Sequence, residues 1–91
     1  MTFHCVYVLF SLKDHKLYIG YTTSLRRRLG EHHRGETVST ARRRPLRLLF
    51  CEHYVSRQDA QRREQYFKTS PGKRSLRLML KDSLRQAAAW R

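Results

Sequence analysis

The chain has 91 residues, 40% of them hydrophobic, which bounds it to one domain spanning residues 1–91 with a modest core of two layers. Lys plus Arg number 20 against 7 Asp plus Glu, a formal net charge of +13 and a pI of about 10.9, so the surface is built for a polyanion, nucleic acid ahead of anionic lipid. No apolar run reaches the roughly 18 residues of a membrane-spanning helix, and the opening MTFHCVYVLF lacks a basic leader and a small-residue cleavage site, so the expectation is a cytoplasmic protein with no membrane partner and two reduced thiols, Cys5 and Cys51.

Phe3 to Phe10 is nearly continuous apolar and β-branched sequence. It predicts a strand with Phe3, Cys5, Tyr7 and Leu9 on one face and His4, Val6, Val8 and Phe10 on the other. Both faces are apolar, so the strand is central or covered on both sides. Ser11 to His15 is turn-like, and Leu17 to Tyr21 predicts a second strand. A hairpin loop of even length pairs odd with even positions, which puts Tyr7 and Tyr18 on the same face.

Thr22-Thr23-Ser24 offers N-cap candidates for a helix from Leu25 to His33, with Leu25 and Leu29 as its apolar stripe, Arg28 and His32 beside it, and Gly35 as its stop. Glu36 to Pro45 reads as a polar loop. Leu46 to Tyr54 predicts a third strand. Ser56 with Asp59 resembles a capping box for a helix running to about Thr69, which buries Ala60 and Phe67 and carries Glu64 at the edge of the buried stripe. Ser70-Pro71-Gly72 breaks the chain before a last helix faced by Leu76, Met79, Leu80, Leu84 and Ala87. The order β-β-α-β-α-α predicts an α+β fold: a three-stranded antiparallel sheet with flanking helices. Trp90 and Ala87-Ala88-Ala89 are candidates for contact with a second copy, and the oligomeric state stays open.

Chemistry is sparse when residues are taken singly. No glycine-rich phosphate loop is present. The five histidines and two cysteines show no close metal-ligand spacing, and Cys51 reads as a core residue. The arginine runs Arg26-Arg27-Arg28, Arg42-Arg43-Arg44 and Arg62-Arg63 suit forked contacts with phosphates. Two tyrosines on one sheet face bring two hydroxyls together, and buried hydroxyls need partners.

Taken in order, Tyr7, Tyr18-Ile19-Gly20, Leu25-x-x-Arg28-x-x-x-His32, Arg44-Pro45 and Ala60-x-x-Arg63-Glu64 with Lys68 resemble the GIY-YIG nuclease superfamily, in particular its small stand-alone bacterial members. The first motif here reads Cys5-Val6-Tyr7, keeping the tyrosine and not the leading glycine. The resemblance implies a GIY-YIG endonuclease-like fold and a DNA endonuclease or nicking activity in DNA repair or processing. It assigns catalytic roles to Tyr7, Tyr18, Arg28, His32 and Glu64, with Glu64 holding one divalent ion, Mg²⁺ or Mn²⁺. Arg28 contacts the phosphate, Tyr7 is the first candidate for the general base and His32 its relay. Gly20 falls where a missing side chain permits close approach. With Gly20, the residues Arg27, Arg42, Arg43, Arg44, Arg63 and Lys68 are the expected nucleic-acid contacts. The alternative is a nucleic-acid-binding protein of the same fold with little or no activity, and RNA is the competing polyanion to DNA.

Overall fold

Strand β1 (His4–Ser11) is the spine of the molecule, and its residues Cys5 to Ser11 are all buried. The computed structural model describes residues 2–91. β1 lies in the middle of an antiparallel sheet ordered β2-β1-β3, between β2 (Leu17–Thr22) and β3 (Leu46–Tyr54). Double-sided burial follows from a strand that is apolar on both faces, and a central strand is where such a sequence is most stable.

The hairpin register pairs Tyr7 with Gly20 and Leu9 with Tyr18, so the two tyrosines are diagonal neighbours on one face. Its turn is tied locally. Ser11 Oγ accepts from the amides of Lys13 and Asp14 and donates to the Arg43 carbonyl at 2.7 Å, while Asp14 accepts from the Lys16 amide.

Helices cover both faces, giving three layers where the sequence suggests two. On the Tyr7 face, helix α1 (Leu25–His33) lays Leu25 and Leu29 against Cys5, Tyr7, Leu9 and Leu46. On the other face, Val6, Val8 and Ile19 pack against Ala60 and Phe67 of α3 (Arg57–Phe67) and against Leu76 and Leu80, contributed by the C-terminal helices. The sequence treats those C-terminal residues as one helix. They form two, α4 (Ser70–Met79) and α5 (Lys81–Ala87), broken at Leu80, which leaves the helical region with ψ at 22°. The break turns Met79 outward, 46% exposed, while Leu76, Leu80 and Ala87 stay buried.

One further helix has no counterpart in the sequence reading. Helix α2 (Val38–Ala41) occupies part of the stretch read as loop, and its Thr40 is fully buried. Its sequence has no apolar stripe to betray it. The caps follow the sequence in part: Ser56 Oγ accepts from the Asp59 amide as expected, whereas Ser24 occupies the N-cap of α1 without a side-chain cap bond. At the α3–α4 corner, Thr69 caps α4 through the Gly72 amide, and a Cβ at Gly72 would overlap the Tyr66 carbonyl. That corner requires glycine for close backbone approach. Trp90 packs within its own chain, edge-on to Phe10 at 5.8 Å and under the Arg47 guanidinium at 4.1 Å. No helix among the described residues is long and apolar enough to cross a membrane.

Candidate active site

Four of the five expected catalytic residues gather between β1, β2 and α1. Tyr7 is fully buried. Its ring lies across Gly20, where any Cβ would overlap the tyrosine's Cζ and hydroxyl. The close approach that Gly20 permits is therefore filled by Tyr7, not by a substrate or the next helix. Tyr18 tilts toward Tyr7 with ring centroids 6.3 Å apart, and both rings meet the imidazole of His32, at 5.7 and 5.1 Å.

His32 is 1% exposed and bonded at both nitrogens, Nε2 to Tyr7 Oη at 2.9 Å and Nδ1 to Thr40 Oγ1 at 2.7 Å. Burial, followed by the positive charge of Arg28, pushes His32 below the ordinary imidazole range, so the ring is neutral near pH 7. Burial and then the neighbouring Tyr18 push Tyr7 up to about 12, against an opposing pull from Arg28. With the phenol protonated and the imidazole neutral, the matching assignment has Tyr7 O–H donating to Nε2 and Nδ1–H donating to Thr40. Thr40 is the site residue the sequence did not reveal, because α2 itself was invisible there. A buried histidine with one visible partner is the only signal that points to it.

Arg28 stands one turn before His32 with its side chain 33% exposed. Glu31 holds it at 2.8 Å and also takes Arg27 at 3.0 Å, and this pairing raises the already high proton affinity of Arg28 while lowering that of Glu31. Glu31 is thus a second unannounced contributor: it holds the guanidinium, whose charge also acts on Tyr7.

Glu64 comes from a different helix. It rides on α3, the helix of the opposite layer, with its side chain 16% exposed and paired to Lys68 at 3.1 Å. Among the described residues no hydrogen bond joins Glu64 to Tyr7, Tyr18, Arg28 or His32. As a donor set, one partly exposed carboxylate with room for water and phosphate oxygens suits a hard ion such as Mg²⁺, which keeps most of its water.

The expected nucleic-acid contacts divide. Arg42 is exposed, and with Lys13, His33 and Arg44 it lines a basic cleft of about 470 Å³ beside Pro45. Arg43 is committed to the hairpin, donating to Asp14 at 3.1 Å and to the Leu17 carbonyl. Arg44 caps the carbonyls of His33 and Ala41 and lies over Gly35, whose φ of 75° needs glycine. Arg63 is held by Glu52 at 2.7 Å and stacks on Phe67 at 4.3 Å. The sequence places no metal-ligand cluster among the cysteines and histidines. Strand pairing does, bringing Cys5, Cys51 and His53 together, with Cys51 only half-buried.

Comparison with known proteins agrees with this architecture. Residues 3–76 match the model of the GIY-YIG catalytic domain. The chain is 36% identical to the UPF0213 protein SH2523 of Staphylococcus haemolyticus, over 87% of this chain and 96% of that one. It is 43% identical to the UPF0213 protein NP_0776A of Natronomonas pharaonis, over 72% and 78% of the two chains. The solution NMR structure of the UPF0213 protein BH0048 from Bacillus halodurans superposes with a TM-score of 0.54 at 34% identity, covering 85% of this chain and 84% of that one. Sequence order, sheet topology and the tyrosine–histidine cluster thus lead to one assignment: the chain belongs to the GIY-YIG catalytic-domain family, among its small UPF0213 proteins.

Proposed function

We propose that the protein is a metal-dependent nuclease that nicks or cleaves DNA, using Tyr7, Tyr18, Arg28 and His32 at the reacting phosphate and Glu64 as the ion's protein ligand. The observation that carries this reading is the Tyr7–His32–Thr40 hydrogen-bond chain, closed by Tyr18 and flanked by Arg28. A buried imidazole fixed at both nitrogens beside a protonated phenol is a costly arrangement for mere packing, and it suits proton transfer.

Arg28 offers a forked cation to a non-bridging phosphate oxygen. Tyr7, pushed up to about 12, is a poor base by itself at neutral pH. His32 resolves this. As Tyr7 Oη takes a proton from the attacking water, its own proton passes along the existing 2.9 Å bond to Nε2. The imidazolium so formed keeps its Nδ1–H on Thr40, so no group need reorient during the transfer. A Mg²⁺ or Mn²⁺ ion bound at Glu64 would supply charge stabilisation at the leaving oxygen. The net charge of +13 supplies affinity for the backbone, and the basic cleft at Arg42 and Lys13 is a track for the strand beyond the site.

The test is nicking of supercoiled plasmid with and without Mg²⁺, beside Glu64→Ala and Arg28→Ala. Each variant is expected to bind DNA and to lose about 10²-fold or more in nicking rate. A wild type that binds DNA in a salt-dependent way and never nicks with any divalent ion overturns the proposal. That outcome would favour the second reading, a nucleic-acid-binding protein of this fold without activity. Its support is that Glu64 is already paired to Lys68 and makes no bond to the tyrosine cluster. Tighter binding of single-stranded RNA than of duplex DNA would move the substrate to RNA.

A further inference from the structure

The pairing of β1 with β3 assembles a second group of reactive side chains that the nuclease chemistry leaves unused. His53 is the register partner of Cys5, and Cys51 is the partner of Tyr7, one step along the same face. The two thiols and a ring nitrogen of His53 all lie within 4.8 Å of one another. Both cysteines are free. Burial deepens across the trio, from the exposed His53 through the half-buried Cys51 to Cys5 at 2%. The His53 ring is braced edge-on against Phe3 at 6.2 Å.

We propose that Cys5, Cys51 and His53 form a zinc site with three protein ligands and a fourth position open to water, clipping β1 to β3 beside Tyr7. Two sulfurs and an imidazole form a soft-to-borderline donor set, which selects Zn²⁺ and disfavours the hard ions suited to Glu64. Tetrahedral zinc with Zn–S of about 2.3 Å and Zn–N of about 2.0–2.1 Å needs its ligand atoms roughly 3.5–3.8 Å apart. The trio must therefore contract by about 1.3 Å at most, and rotation of the exposed His53 side chain can contribute to this. Two facing strands already fix the Cβ positions, so little chain entropy is lost on binding. Each thiol gives its proton to solvent as its sulfur takes the ion, and nothing is oxidised or reduced.

The ion would act on structure near the site. β1 carries Cys5 and Tyr7 two residues apart, and β3 carries Cys51 directly across from Tyr7. Tying the strands there stiffens the segment that positions the phenol. The proposal is independent of the nuclease reading, and its test needs no activity measurement.

The test is titration of the full chain, reduced and with both thiols confirmed free, first with Co²⁺ and then with Zn²⁺. The chain has only 2 cysteines, so a thiolate-to-cobalt charge-transfer band in the near ultraviolet reports on Cys5 and Cys51 alone. The expected result is that band, with strong visible bands of tetrahedral cobalt, saturating at one equivalent and bleached by Zn²⁺. His53→Gln should weaken Co²⁺ binding by about tenfold or more, and Cys51→Ser should at least halve the charge-transfer intensity. Cys5→Ser alters a buried position and carries less weight, so the two more exposed variants, checked for fold by circular dichroism, decide. Glu64→Ala should leave the bands in place. Absence of the charge-transfer band in the reduced chain, bands unchanged in His53→Gln or Cys51→Ser, or bands lost in Glu64→Ala would each overturn the assignment.

Discussion

Tyr7 is fully buried, yet the proposed mechanism asks its hydroxyl to do chemistry, and its neighbours reconcile the two demands. Gly20 yields the volume, His32 takes the hydroxyl's hydrogen bond, and Arg28 offsets part of the burial. Gly20→Ala is therefore expected to drive a methyl into the Tyr7 ring and to lower stability by about 1–3 kcal/mol in urea unfolding. The raised Tyr7 pKa also sets a pH dependence. A phenol raised from 10.0 to about 12 on folding stabilises the protein fully below pH 10, and that stability is lost as pH climbs from 10 to 12. The loss attributable to Tyr7 is about 2–3 kcal/mol. Cys5 and Tyr54 are raised as well, so the measurement is a difference: Tyr7→Phe should show a smaller alkaline drop in unfolding free energy than the wild type. His32 is the opposite case. Its depressed value means that stability is complete above the ordinary imidazole pKa of about 6.5 and falls as pH drops below it, which thermal unfolding between pH 7 and 5 would register.

Among the elements, α2 carries the least sequence signal and holds a site residue. Thr40→Val keeps the shape and removes the partner of His32 Nδ1. It is expected to cost about 1–3 kcal/mol through the unpaired buried nitrogen and, under the proposed mechanism in which Thr40 only positions His32, to lower kcat more than it raises KM. Gly72→Ala should damage the α3–α4 corner by at least about 2 kcal/mol, since the new methyl meets backbone that cannot swing away. These two positions mark what the sequence discloses and what it hides. The hairpin, the Tyr7–Tyr18 face and the Ser56 cap follow from alternation and local pairing, which a sequence carries openly. Arg28 and His32 follow from helical spacing. Helix α2, the bend at Leu80 and the meeting of Cys5 with Cys51 and His53 depend on contacts distant in sequence, and no local pattern encodes them. Glu64 is legible as a carboxylate at the edge of a buried stripe, whereas the packing of its helix α3 against Val6, Val8 and Ile19 depends on contacts distant in sequence.

For the whole molecule, the +13 charge overstates the cations free to meet a polyanion. Arg43, Arg44 and Arg63 donate to groups of their own chain, whereas the exposed Arg26 and Arg42 show no side-chain hydrogen bond among the described residues. Neutralising a surface arginine that meets phosphate should reduce the slope of log K against log salt by about 1, so Arg42→Ala is expected to flatten the salt dependence of duplex binding by that amount. Arg43→Ala should instead loosen the hairpin and lower stability with little change in slope. The Tyr7 phenol lies at the centre of the site. Single-turnover nicking of supercoiled plasmid at saturating protein and Mg²⁺, for wild type and Tyr7→Phe, isolates that hydroxyl. The predicted result is a rate lower by about 10²-fold or more in Tyr7→Phe with DNA affinity unchanged, and a Tyr7→Phe rate within a few-fold of wild type would contradict the assignment of the site.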